Sequence, residues 1–125
     1  MSQDIISDAL NTIMNAKKSD KTEVVVTRYS RFLIDVLDLA KREGYIKNIE
    51  MDGKKLKIRF DEKLNQCSTV KPRFFVKKED IEKYVRRYLP ARDFGLLIVS
   101  TNKKLLTHKE AQEEGIGGCL IAYFY

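Results

Sequence analysis

The sequence predicts an α/β protein of the α+β kind, built as two small lobes, and three observations lead there. Two N-terminal segments repeat apolar residues at helical spacing, while later segments either alternate apolar with charged residues or run β-branched, as strands do. Glycine, proline and aspartate punctuate the boundaries between them. With 125 residues the chain has room for one core or for two small subdomains, since an independent core takes roughly 50 residues or more. The division is expected near residue 64, with 1–64 as an N-terminal helix-strand-helix-hairpin lobe and 65–125 as a C-terminal mixed β lobe with short helices.

From Asp4 to Ala16, Ile5, Ile6, Ala9, Leu10, Ile13 and Met14 fall on one helical face and Asp8, Asn11, Thr12 and Asn15 on the other. Val24-Val25-Val26-Thr27 is a β-branched run suited to a strand. Ser30 is placed to cap a second helix carrying Phe32, Leu33, Val36, Leu37 and Ala40, which Gly44 ends. Ile46 to Asp52 and Lys54 to Phe60 read as two strands joined around Asp52-Gly53, a hairpin signal. In the second of them Leu56, Ile58 and Phe60 alternate with Lys55, Lys57 and Arg59, which predicts one packed face and one basic ladder.

Residues 63–71 read as a polar turn, and Lys71-Pro72-Arg73-Phe74-Phe75-Val76 as an edge strand, because proline is tolerated at a strand start. Asp80 is placed as the cap of a helix through Ile81, Tyr84, Val85 and Tyr88 that Leu89-Pro90 stops. A strand from Phe94 to Ser100 leads into the turn Ser100-Thr101-Asn102-Lys103-Lys104. Thr107-His108-Lys109-Glu110 forms a capping box for a short helix, Gly115, Gly117 and Gly118 end it, and a last strand closes with Ala122-Tyr123-Phe124-Tyr125.

Twenty-four Lys and Arg against eighteen Asp and Glu give a net charge of +6, an excess that attracts polyanions such as nucleic acid. No run approaches the eighteen or so apolar residues of a membrane span, and Met1-Ser2-Gln3-Asp4 lacks the basic start of a secretory signal, so a cytoplasmic protein is expected. Cys67 and Cys119 stand far apart and away from His108, which excludes the usual zinc spacings and predicts two free, buried thiols. No metal and no cofactor is expected. His108, behind a helix cap, reads as a polar surface residue; Ser100 lacks a Gly-x-Ser-x-Gly elbow, and the glycines lack the Lys-Ser or Lys-Thr ending of a phosphate loop. A hydrolase using Ser100 with His108 would need a third, orienting group, and none is visible. A regulator that binds RNA or DNA is the other alternative, without any helix-turn-helix spacing to support DNA binding.

The order Gly-Leu-Leu-Ile-Val-Ser-Thr, then Leu-Thr-His-Lys-Glu-Ala, then Gly-Ile-Gly-Gly with an aromatic end, resembles the C-terminal half of the small-subunit ribosomal protein number eight family. The resemblance extends to the N-terminal lobe through Asp4, Ser7-Asp8-Ala9-Leu10, Asn15-Ala16, Ser30-Arg31-Phe32 and Arg42-Glu43-Gly44-Tyr45-Ile46. Gln66-Cys67, Lys71-Pro72-Arg73 and Arg87-Tyr88-Leu89-Pro90 make it similar to the archaeal and eukaryotic branch. The resemblance implies a structural, non-enzymatic protein of the small ribosomal subunit that binds the central domain of the small-subunit rRNA and supports assembly. It also implies neighbours such as small-subunit proteins five, fifteen and seventeen.

On that basis the turn at Ser100 and Thr101 is expected to enter the minor-groove side of an irregular RNA helix, where short hydroxyl side chains can both donate and accept. Gly117 and Gly118 are expected close to the same RNA. The family's third turn residue is often Ser and the residue after it Gly; here they are Asn102 and Lys104, which puts the shape of the turn in question. Lys103, Lys104, Lys71, Arg73, Lys55 and Lys57 are candidate phosphate ligands, and Asp4, Asn15 and Arg31 complete the expected contact set. Phe74, Phe75 and Tyr88 lie among Lys77, Lys78, Arg86, Arg87 and Arg92, so an aromatic could stack on a base, although core packing is the preferred assignment.

Overall fold

In the computed structural model, residues 5–70, 75–90, 94–102 and 104–125 are described. The chain is α+β and divides into two compact units, Met1–Ser68 and Thr69–Tyr125.

The first unit opens with α1 (Ile5–Lys18), whose Ile6, Ala9, Leu10 and Ile13 are buried as their spacing requires. β1 (Glu23–Val26) follows, then α2 (Arg31–Arg42), capped by the Ser30 hydroxyl, which accepts the Leu33 amide at 3.2 Å. β2 (Ile46–Asp52) and β3 (Lys55–Phe60) complete a three-stranded antiparallel sheet in the order β1-β3-β2. Asp52 pairs with Lys55, so it is the last strand residue, and the two-residue loop is Gly53-Lys54. Gly53 takes φ +63 and Lys54 does not share the positive φ, the pattern of a turn with glycine at its first central position. Val24, Val26, Leu56 and Ile58 share the inner face with Ile49, against which α1 and α2 pack.

The other sheet has five strands, with β4 (Cys67–Thr69), which spans the boundary between the units, β8 (Gly118–Phe124), β6 (Leu96–Ser100) and β7 (Leu105–Thr107) in that order and β5 (Phe75–Val76) also paired with β8. A 3-10 turn (Lys78–Asp80) leads into α3 (Ile81–Tyr88), and α4 (His108–Glu114) connects β7 to β8. Val76, Ile81, Val85, Leu97, Val99, Leu106, Ala111 and Leu120 form the core of the second unit, with Tyr88, Tyr123 and Tyr125 packed against it. The three tyrosines stack in sequence, ring centroids 5.4 and 6.1 Å apart.

Several expectations need correction. The polar stretch 63–71 holds β4, bounded by buried Leu64 and Val70 whose apolar pair is too widely spaced to announce a strand. β7 was not expected because it is squeezed between a turn and a helix cap. Asp80 stands at the N-cap of α3 as expected, but it ends a 3-10 turn in helical rather than extended backbone, and its exposed carboxylate makes no cap hydrogen bond. The β6 strand proper begins at Leu96, two residues later than expected. His108 is buried, not a surface group, and Cys119 is only half-buried, whereas Cys67 is fully buried.

Candidate nucleic-acid interface

The β6–β7 hairpin positions the turn. Ser100 pairs with Leu105, which leaves Thr101 to Lys104 as the connection. Thr101 closes it: its amide donates to the Lys104 carbonyl at 3.0 Å, its hydroxyl donates to the same carbonyl at 2.7 Å, and that hydroxyl accepts the Lys104 amide at 3.1 Å. The Thr101 hydroxyl is therefore committed to the turn, a role its chemistry suits. Asp20 is the only non-glycine residue at positive φ among the described residues, so Lys104 needs no glycine-like backbone here. Asn102 is exposed at the tip, and Lys103 lies outside the described residues.

Ser100 differs from its neighbour. It is half-buried, and no hydrogen bond among the described residues engages its hydroxyl. Across the sheet it pairs with Cys119 of β8, which in turn pairs with Phe75 of β5. Phe75, Cys119, Ser100 and Leu105 thus form one row over four strands, all on the same face, since directly opposed residues in a pleated sheet project together. Two residues back along β6, Ile98 on that face is fully buried, so the row marks where the face emerges into solvent.

Gly117 and Gly118 draw the row together. A Cβ on Gly118 would stand 2.5 Å from the Ser100 carbonyl oxygen and 2.8 Å from Val99 Cγ1. One on Gly117 would stand 2.3 Å from the Val76 carbonyl oxygen and 3.0 Å from Lys77 Cα. The close approach anticipated at these glycines is therefore to the protein's own backbone, with β5 on one side and β6 on the other, and Gly118 is itself buried.

Cations differ between the units. On the outer face of the first sheet, β3 presents Lys55, Lys57 and Arg59, but the adjacent strands present Glu23, Glu50 and Asp52 directly opposite them. Lys57 lies 3.6 Å and Arg59 3.2 Å from Glu23. The expected basic ladder is thus charge-balanced, and each exposed pair contributes little to stability while cancelling the local field. Arg31 is likewise paired, with Asp35 at 3.3 Å. Asn15 is exposed and lines a groove of about 440 Å³ with Thr12, Ser19, Lys21 and Glu23. In the second unit, Lys77, Lys78, Arg86, Arg87 and Lys104 are exposed and make no ion pair among the described residues. Lys77 and Lys78 adjoin Gly117. Asp4, Lys71 and Arg73 lie outside the described residues.

The pairing of Ser100 with His108 as a catalytic couple finds no support. The His108 Nδ1 accepts the Leu97 amide at 3.2 Å inside the core, so that nitrogen serves the fold. Phe75, for which core packing was the preferred assignment over stacking on a base, is instead 69% exposed. Sequence reasoning missed that Glu23 and Glu50 would neutralise the ladder, a nonlocal pairing with no sequence signature.

The model of the family described as ribosomal protein S8 matches residues 4–125. The chain belongs to the ribosomal protein S8 family. Over the full length of both chains it is 42% identical to the small ribosomal subunit protein uS8 of Nanoarchaeum equitans. It is likewise 41% identical to that of Thermoplasma acidophilum and 40% to that of Picrophilus torridus. These relatives are archaeal, in keeping with the branch that the middle of the chain resembles. Membership of the S8 family makes the chain a ribosomal protein, a structural component rather than an enzyme, which works in the ribosome and so in the cytoplasm.

Proposed function

We propose that this protein of the small ribosomal subunit binds the central domain of the small-subunit rRNA directly and stabilises its fold during assembly. Recognition is assigned to the C-terminal lobe, residues 65–125, through the half-buried Ser100 hydroxyl and the exposed Asn102. Thr101 holds the turn in shape. Lys77, Lys78 and Lys104 neutralise phosphates, together with Lys71, Arg73 and Lys103. Gly117 and Gly118 set the spacing of the strands that carry these groups.

The observation that supports this reading best is the Ser100 hydroxyl, which has no hydrogen bond among the described residues and opens the hairpin turn that carries exposed Lys104, at the emergent edge of a sheet. Such a group can donate to and accept from ribose hydroxyls and base edges in the shallow groove of A-form RNA. Asp4, Asn15 and Arg31 are secondary contacts in this reading. Lys55 and Lys57 are the weakest members, because Glu23, Glu50 and Asp52 oppose their field. Small-subunit proteins five, fifteen and seventeen are the proposed neighbours.

Cross-linking the protein in cells and sequencing the attached nucleic acid tests the reading. Sites concentrated in the central domain of the small-subunit rRNA are expected. Sites dispersed over other RNAs, or on DNA, would contradict it.

A further inference from the structure

Resting on that reading, we infer that Phe75 is a stacking platform for an unpaired base of the bound RNA, immediately beside the Ser100 contact. Phe75 is 69% exposed, whereas the next residue on its strand, Val76, is buried in the core at 3%. The two-residue strand β5 therefore anchors through Val76 and turns the phenyl ring outward. Cys119 pairs with both Phe75 and Ser100, so the ring and the hydroxyl stand two strand spacings apart, about 10 Å, on one face. That span is within the reach of one or two nucleotides.

The surroundings select the occupant. Lys77 follows two residues on, exposed and in extended conformation, φ −72 and ψ 154. Lys78 is exposed beyond it, and neither lysine has an ion pair among the described residues. An aromatic face flanked by unpaired cations and a hydroxyl matches a nucleotide, with ring on base, ammonium on phosphate and hydroxyl on ribose. An apolar protein partner would leave those lysines facing it without counter-charge.

The chain contains no tryptophan, so Phe75→Trp installs a single fluorescent reporter at the site. The probe is a transcript of the central domain of an archaeal small-subunit rRNA, titrated into the full-length protein. Phe75→Trp is expected to bind within about twofold of the parent, and its emission to be quenched on binding. Phe75→Ala and Phe75→Leu are each expected to weaken binding about 5- to 100-fold, the range for loss of one base–aromatic stack, with an unchanged salt slope. Because the ring is exposed, thermal melts of all three variants should match the parent. Parent-like affinity of the Ala and Leu variants, or a Trp emission that RNA leaves unquenched, overturns the assignment. If the parent binds and Ser100→Ala weakens it, only this inference falls; if the parent does not bind, the underlying reading falls with it.

Discussion

Ser100 and Thr101 are adjacent hydroxyl residues on one turn, yet their substitution by alanine should have opposite signatures. Thr101→Ala deletes the 2.7 Å bond from its hydroxyl to the Lys104 carbonyl and the 3.1 Å bond from the Lys104 amide, while the 3.0 Å backbone bond remains. Both lost bonds are exposed, so water replaces them and the net cost is about 1 kcal/mol. For a chain of this size that lowers the Tm by about 4 °C. Ser100→Ala removes a hydroxyl without a hydrogen bond among the described residues, so stability should change by less than about 0.5 kcal/mol. Its RNA affinity, however, should fall about fivefold or more through one lost hydrogen bond, and further where a buried RNA group is left unsatisfied. Neither substitution removes a cation, so the slope of log affinity against log salt should match the parent. The assay is a thermal melt of each variant beside RNA binding over a salt series. Reasoning from the turn geometry is refuted if Ser100→Ala destabilises as much as Thr101→Ala, or if well-folded Ser100→Ala binds RNA like the parent.

Other outcomes follow from the same geometry. Gly118→Ala should destabilise by about 1–3 kcal/mol and weaken RNA binding as well, because its Cβ would meet the Ser100 carbonyl at 2.5 Å and displace the turn; chemical denaturation beside binding measures both. Lys77→Gln with Lys78→Gln should reduce the magnitude of the salt slope by about 1.4, at roughly 0.7 per single-strand phosphate contact, whereas Lys57→Gln, already opposed by Glu23, should leave it unchanged. Burial pushes the Cys67 thiol up from the ordinary 9.0 to about 12, so the folded state keeps its proton longer than the unfolded one. The Cys67 contribution to stability is then complete below pH 9 and lost as pH rises toward 12, at up to about 1.4 kcal/mol per pH unit, and denaturation of Cys67→Ala against the parent over that range should show the difference. Alkylation at pH 8 should accordingly modify half-buried Cys119 well before Cys67.

What the sequence disclosed and what it hid divide along local and nonlocal lines. Ser30, Gly53 and the Thr107–Glu110 capping box act within a few residues of themselves, and each appears in the structure where its chemistry demands. The alternation of Lys55 to Phe60 disclosed which face of β3 packs, because side chains in a strand alternate regardless of neighbours. It could not disclose that Glu23 and Glu50 would stand beside Lys57, since that depends on pairing across strands. Short strands such as β4 and β7 carry too few residues for a period to show. Gly117 and Gly118 announced a close approach, expected toward RNA, and the approach seen in the structure is to the backbone of β5 and β6. Phe75 was misjudged because hydrophobicity reports a tendency toward burial, and only the strand register says which of two adjacent apolar residues points out.

Competition binding between transcripts tests the central claim most directly: the full-length protein, at fixed salt, is offered the central domain of an archaeal small-subunit rRNA against an equal length of another domain of the same molecule. Shared backbone charge makes the nonspecific electrostatic term common to both, so any preference reports recognition. The account predicts at least about a thousandfold preference for the central domain, diminished by Ser100→Ala. Equal affinity for the two transcripts, or a preference that Ser100→Ala leaves intact, would contradict it.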